Sequence, residues 1–272
     1  MSDSWRVFAV FISGGSMVLA ACGGGQTRLP EQGPKTAAAV LERALSVPLP
    51  KTLQAMSRMD SYSRGQARKA DVLLRIERPG RAQFQALTPT LDLLAVLSTD
   101  GHRFVSYQRG GQRCFTGRAC PRNLARLIPI ELPAEQLVEA ILGRPPLLST
   151  EHKRLYWDTK RQAYRIHLGA VGARQQQDVW VHPKSFRFMA VTVDEGGKRV
   201  ASIAYSGLSG PTSRQPPNVM RLKLAARDLD LSLQLRDMTL DEAIEPSTFA
   251  TPCPRGTVTV NLPCEASQTR PG

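Results

Sequence analysis

The side chains with the widest chemical reach in this chain are five cysteines, Cys22, Cys114, Cys120, Cys253 and Cys264. Cys22 stands apart. It directly follows an apolar run over residues 7–21 that ends Val18-Leu19-Ala20-Ala21, and Gly23-Gly24-Gly25 comes after it. The run is shorter than the ~20 residues a membrane-spanning helix needs and reads as the core of an export signal. Small residues before the cut let the chain lie extended in a peptidase site. The other four cysteines make an even number in an exported chain, which reads as two disulfides. Three pairings are open. Nearest-neighbour pairing, Cys114 with Cys120 and Cys253 with Cys264, is the expected one because it closes short loops. A zinc site is the rival, but no CxxC spacing exists and no His lies near either pair.

Other chemistry finds no support. His102, His152, His167 and His182 are far apart and none belongs to an HExxH pattern. Ser206-Gly207-Leu208-Ser209-Gly210 lacks the spacing of a nucleophile elbow. Gly196-Gly197-Lys198 lacks the earlier glycine of a phosphate loop, and Arg199 stands where Ser or Thr is needed. No catalytic residue, metal ligand or cofactor site is assigned. The expectation is a binding protein, not an enzyme.

The elements follow from hydrophobic period. After a polar tether over residues 22–35, Ala37, Val40, Leu41, Ala44 and Leu45 form one helix face, with Thr36 as N-cap and Pro48 and Pro50 ending it. From Gly65 the period becomes two. Val72, Leu74 and Ile76 alternate with Asp71, Leu73, Arg75 and Glu77, Pro79-Gly80 turns the chain, and Ala82, Phe84 and Ala86 return. A loop over 88–92 leads to a strand over 93–98, and Asp100-Gly101 turns into a strand over 104–108. Pro121 opens a short helix. Pro133 opens a clear one, with Ala134, Leu137, Val138, Ile141 and Leu142 on one face and Gly143 at its end. Strands resume over 155–158, 163–168, 179–182, 186–194, 199–208, 219–225, 229–236 and 257–262. The sum is a mainly β fold with α (α+β), about ten to eleven strands and two or three helices. Strands adjacent in sequence make the sheet mainly antiparallel, and so wide a sheet curls. The helices can cover its open side. The division expected is signal 1–21, tether 22–35, one domain over 36–265 and a disordered tail over 266–272.

The formal net charge is +13. Arg and Lys are scattered singly, as at Arg64, Arg68, Lys69, Arg75, Arg78 and Arg81, with no aromatic nucleic-acid motif among them. Nucleic acid is therefore excluded as a partner. Attraction to anionic head groups is one reading of the charge. A solvated Arg-rich surface is the more economical one.

The stretch Leu19-Ala20-Ala21-Cys22 resembles the lipobox of bacterial lipoproteins. That resemblance implies a diacylglycerol on the Cys22 thiol, cleavage before Cys22 and acylation of the new amine. Gly23 in place of Asp implies export to the outer membrane, with the body facing the periplasm. Further phrases resemble the LolB-like and LolA-like envelope proteins of lipoprotein sorting. They are Arg81-Ala82-Gln83-Phe84-Gln85-Ala86-Leu87, the run from Ile128 through Pro133 into Leu142-Gly143-Arg144-Pro145, and Leu233-Gln234-Leu235-Arg236-Asp237 followed by Ile244-Glu245-Pro246-Ser247-Thr248-Phe249. The family fold is an incomplete antiparallel β-barrel with helices over its open side, enclosing an apolar cavity for acyl chains. The resemblance implies Val72, Leu74, Ile76, Phe84, Leu94, Val96 and Phe104 as lining. It implies Leu91, in the 88–92 loop, as a residue that enters the membrane. The partners it implies are lipid or lipoprotein acyl chains, the outer membrane and a periplasmic lipoprotein carrier. Family members need no disulfides, so the four late cysteines and the C-terminal extension are departures. The other reading is an assembly partner with a filled interior and a protein-binding surface.

Overall fold

A computed structural model describes residues 29–126 and 131–264. The expected signal 1–21, Cys22 and the tail 266–272 lie outside the described residues. Strands β1 (Thr52–Ser63), β2 (Gln66–Glu77), β3 (Arg81–Leu87), β4 (Leu93–Thr99), β5 (Arg103–Gln108) and β6 (Arg113–Arg118) make up the first half. Strands β7 (Lys153–Asp158), β8 (Ala163–Leu168), β9 (Gln175–Val181), β10 (Phe188–Glu195), β11 (Lys198–Ser206), β12 (Val219–Leu224), β13 (Leu229–Leu240) and β14 (Val258–Leu262) make up the second. Helix α1 (Ala37–Leu45) opens the described chain, and α2 (Pro121–Leu124) and α3 (Ala134–Ile141) join the two halves. All strands belong to one 14-stranded sheet in the order β14-β6-β5-β4-β3-β2-β1-β13-β12-β11-β10-β9-β8-β7.

This corrects the expected half-barrel of ten to eleven strands. The sheet is open, because its edges β14 and β7 do not pair with each other. It is also mixed, because β14 runs parallel to β6 while the other pairs are antiparallel. The helices do not cover it. At ~1.5 Å per residue, α1 and α3 are each about 12–14 Å long, whereas fourteen strands ~4.8 Å apart span about 60 Å.

The sheet nevertheless curls. Helix α1 packs on β7 at one edge, and α3 packs on β3, far along the strand order. The two helices are tied to each other, since the Arg144 guanidinium donates to the carbonyls of Leu45 (2.8 Å) and Val47 (3.2 Å). Only a curved sheet brings those regions together. Inward residues of β1–β5 and of β8–β13 then share one hydrophobic core with both helices. Helix α1 begins as its sequence requires, with the Thr36 hydroxyl accepting from the Ala39 N–H at 3.2 Å. From β11, the Tyr205 hydroxyl donates to the Ala140 carbonyl of α3 at 2.8 Å. Its burial pushes the phenol well above its ordinary pKa.

The chain after β13 crosses the face opposite the helices. Gln83 Nε2 of β3 donates to the Thr248 carbonyl (2.6 Å) and to Thr251 Oγ1 (3.0 Å), and Phe249 is buried there. The strap reaches β6, where Leu262 pairs with Gly117. A Cβ on Gly117 would meet the Leu262 carbonyl oxygen at 2.4 Å, so only glycine admits β14 here.

Two disulfides fasten this strap, Cys114–Cys253 and Cys120–Cys264. The nearest-neighbour pairing expected from sequence is wrong. Cys114 sits within β6 and Cys120 beyond its end, so extended chain puts them about 20 Å apart, where a bridge needs a Cα separation near 4.4–6.8 Å. The observed Cα separations are 5.7 and 6.2 Å. Digestion without reduction should join the peptide of Cys114 to that of Cys253, and Cys120 to Cys264. A peptide linking Cys114 to Cys120 in the mass spectrum would sink this arrangement. Removing the Cys114–Cys253 bridge by paired alanines should lower stability by about 2–5 kcal/mol in denaturant titration.

Candidate acyl-chain site

The inward face of β9–β12 lies under the two chain arms that flank α3. Their inward residues are Gln177 on β9, Val191 and Val193 on β10, Ala201 and Ile203 on β11, and Leu222 and Leu224 on β12. In register, Val193 faces Ala201 and Ala201 faces Leu224. A small Ala between larger neighbours removes side-chain volume from the middle of the row. The result is a cavity of about 390 Å³, within the ~300–1,000 Å³ of small-molecule sites. Leu132, Pro146 and Val200 add apolar lining, Ser202 adds a hydroxyl, and Glu131, Ala226 and Arg227 stand at one end.

The two arms are held with different strength. Gln177 is 4% exposed, and its amide clamps the arm after α3. Its Nε2 donates to the Pro146 carbonyl (2.9 Å) and its Oε1 accepts from the Leu148 N–H (2.8 Å). Buried amide pairs of this kind cost ~1–3 kcal/mol for each group left unsatisfied. The arm before α3 is held by the Glu131–Arg227 ion pair, whose side chains are more than a third exposed. Such pairs contribute only ~0–1 kcal/mol. Of these two polar contacts, the one at Glu131 is the weaker.

The residues expected to line a cavity are elsewhere. Val72, Leu74, Ile76, Phe84 and Phe104 are buried in the shared core, packed among neighbours on β2–β5. Leu94 and Val96 alternate to the opposite face. Val96 is buried outside that core, and Leu94 is exposed. None of the seven borders the cavity between β9–β12 and the arms that flank α3. The lining itself was legible only as strand pattern. The one pointer in the sequence was the small Ala201 between apolar neighbours.

Leu91 is at the tip of the β3–β4 turn, 65% exposed, with φ +63. The turn fixes it there. The Leu91 N–H donates to the Thr88 carbonyl (2.9 Å), the Thr88 N–H to the Asp92 carbonyl (2.8 Å), and the Asp92 N–H to Thr88 Oγ1 (3.0 Å). Thr90 Oγ1 donates to Asp92 Oδ2 at 3.0 Å, and Arg109 pairs with Asp92. The left-handed backbone costs a leucine about 1–2 kcal/mol.

Gln177→Leu should lower stability by about 2–4 kcal/mol, because the Pro146 carbonyl and Leu148 N–H both lose their partner. Urea unfolding followed by circular dichroism reads this. A loss below about 0.5 kcal/mol would mean that the arm is held by other contacts.

No family model and no curated protein matches this chain in sequence. Solved structures match its shape. A LolA superfamily protein from Nitrosomonas europaea is 12% identical, with a TM-score of 0.50, over 79% of this chain and 98% of its own. A DUF1329 family protein from Desulfovibrio piger is 8% identical, with a TM-score of 0.54, over 79% of this chain and 98% of its own. Identities this low establish shape alone, and the shape is a LolA-like fold.

Proposed function

We propose that this chain is a lipid-anchored protein of the bacterial outer membrane, facing the periplasm, that takes acyl chains of lipids or lipoproteins into the cavity between β9–β12 and the arms that flank α3. The cavity carries this reading. Its walls are mainly aliphatic, its size suits a chain, and an exposed ion pair, Glu131–Arg227, stands at one wall. The lipobox-like stretch around Cys22 and the LolA-like fold support the setting. Each methylene moved from water into the cavity contributes about 0.8 kcal/mol, so a short length of chain drives entry without covalent chemistry. Leu91 would meet the bilayer and lower the barrier for a chain passing between membrane and protein. Transfer of this kind is passive, and its direction is set by the donor and acceptor affinities. A periplasmic lipoprotein carrier is the partner that would deliver cargo.

The packing of Val72, Leu74, Ile76, Phe84 and Phe104 favours a second reading, an assembly partner with a filled interior. Uptake of a fluorescent fatty acid by the chain from Gly23 onward separates the two. Uptake is expected, with a lipid co-purifying in native mass spectrometry. Ala201→Phe, which fills the cavity, should weaken binding by tenfold or more while thermal stability is kept. No uptake and a bare mass would favour the filled reading. Leu91→Glu should leave uptake unchanged and slow delivery to acceptor vesicles. Equal delivery rates would remove Leu91 from the mechanism.

A further inference from the structure

Strand directions divide the turns between two ends of the sheet. The turns β1–β2, β3–β4, β5–β6, β8–β9, β10–β11 and β12–β13 lie at one end, together with the first residues of β14. Exposed apolar side chains gather there. Tyr62 closes β1, Leu91 is in the β3–β4 turn, Leu94 is at the start of β4, Val171 is in the β8–β9 turn and Val258 opens β14. Val171 is 80% exposed and Val258 63%. Among the described large apolar residues that are exposed, only Leu45 and Tyr156 lie elsewhere.

Positive charge surrounds these tips. Arg64, Lys69, Arg113, Arg174, Lys198 and Arg255 are exposed at this end and form no ion pair among the described residues. Asp92, Asp194 and Asp230 at the same end are each held by an arginine, namely Arg109, Arg199 and Arg221. Glu151, Glu195 and Asp228 add negative charge that no arginine offsets. Basic residues occur at the other end too: Arg78, Arg81 and Arg214 are paired with acids there, while Lys51, Arg103, Arg118, Lys160 and Lys184 are exposed with no ion pair among the described residues, so the apolar tips are what set the first end apart. The cavity reaches the apolar-tipped end, because Ala226 and Arg227 of the β12–β13 turn are part of its lining.

We propose that this end of the sheet is a docking surface for an anionic lipid bilayer, with the apolar tips entering the interface and the cavity presented to it. Scattered apolar tips bind where the neighbouring cations meet anionic head groups. Basic side chains near such a surface and methylenes inserted into it both strengthen binding, and their contributions add. The orientation of the cavity rests on the acyl-chain reading, but the docking does not.

The test is sedimentation of the chain from Gly23 onward, which carries neither an acyl anchor nor the apolar run over 7–21, with vesicles of phosphatidylcholine alone or with phosphatidylglycerol. Binding should need the anionic lipid and fall as salt rises. Val171→Glu with Val258→Glu should weaken it by about tenfold or more. Tyr156→Glu, away from this end, should leave it unchanged. Fatty-acid uptake by the Val171→Glu, Val258→Glu protein should match the parent, which shows that it is folded and separates docking from the cavity. Equal vesicle binding by that protein and its parent would overturn the proposal, as would no binding to anionic vesicles. Uptake lost on Ala201→Phe with vesicle binding intact supports both readings. Uptake absent from the parent with vesicle binding intact would leave docking standing without the cavity.

Discussion

One geometric constraint governs the molecule. A sheet of fourteen strands has one face to bury and only short helices to bury it with. Flat, most of that face would stay in water. The sheet instead bends until α1 at β7 and α3 at β3 meet, and Arg144 joins their ends by donating to the Leu45 and Val47 carbonyls. Tyr205 then fixes α3 to β11 through the Ala140 carbonyl, in a site dry enough to hold its phenol firmly protonated. The two edges remain apart.

The cavity is a consequence of how that curl is filled. Under β2–β5, Leu74, Ile76, Phe84 and Phe104 are large enough to meet α3 and one another, and packing is complete. Under β9–β12, Ala201 interrupts the row, while the chain on either side of α3 spans the gap instead of the helix itself. A core must pack densely to contribute fully to stability. An apolar gap kept beside a weak ion pair and a strong amide clamp is a local departure from that rule. Departures of this sort concentrate where a protein binds something.

Much of the fold was legible because local signals agreed. Thr36, Pro133 and Gly143 bounded two helices whose apolar faces are the buried ones, Leu45 at the end of α1 excepted. Period-two alternation found β2, β3 and most of β7–β13. The losses had physical causes. In β1, Gln54, Met56, Arg58 and Asp60 alternate with Ala55, Ser57 and Met59, so its inward face carries weak hydrophobic contrast. In β6, a run of Gly and Arg conceals a strand whose partner β14 comes from the far end of the chain. With β6 unrecognised, a short bridge between Cys114 and Cys120 looked feasible. The cavity had no motif to announce it, since aliphatic residues facing a gap and aliphatic residues facing each other have the same periodicity.

Leu91 combines backbone strain with exposure. The resemblance marked it, but the structure supplies the independent argument. A leucine costs free energy in a left-handed conformation and more when left in water, and here both occur at one residue. Relaxing the turn would be easy for a free loop. It is prevented by Thr88, Thr90 and Asp92, three polar side chains whose hydrogen bonds are spent on holding an apolar one outward. A turn selected for stability alone would place Gly or Asn at that φ. Holding leucine there makes sense where its surroundings are not always water, and the apolar Val171 and Val258 exposed at the same end of the sheet extend that condition from one residue to a surface.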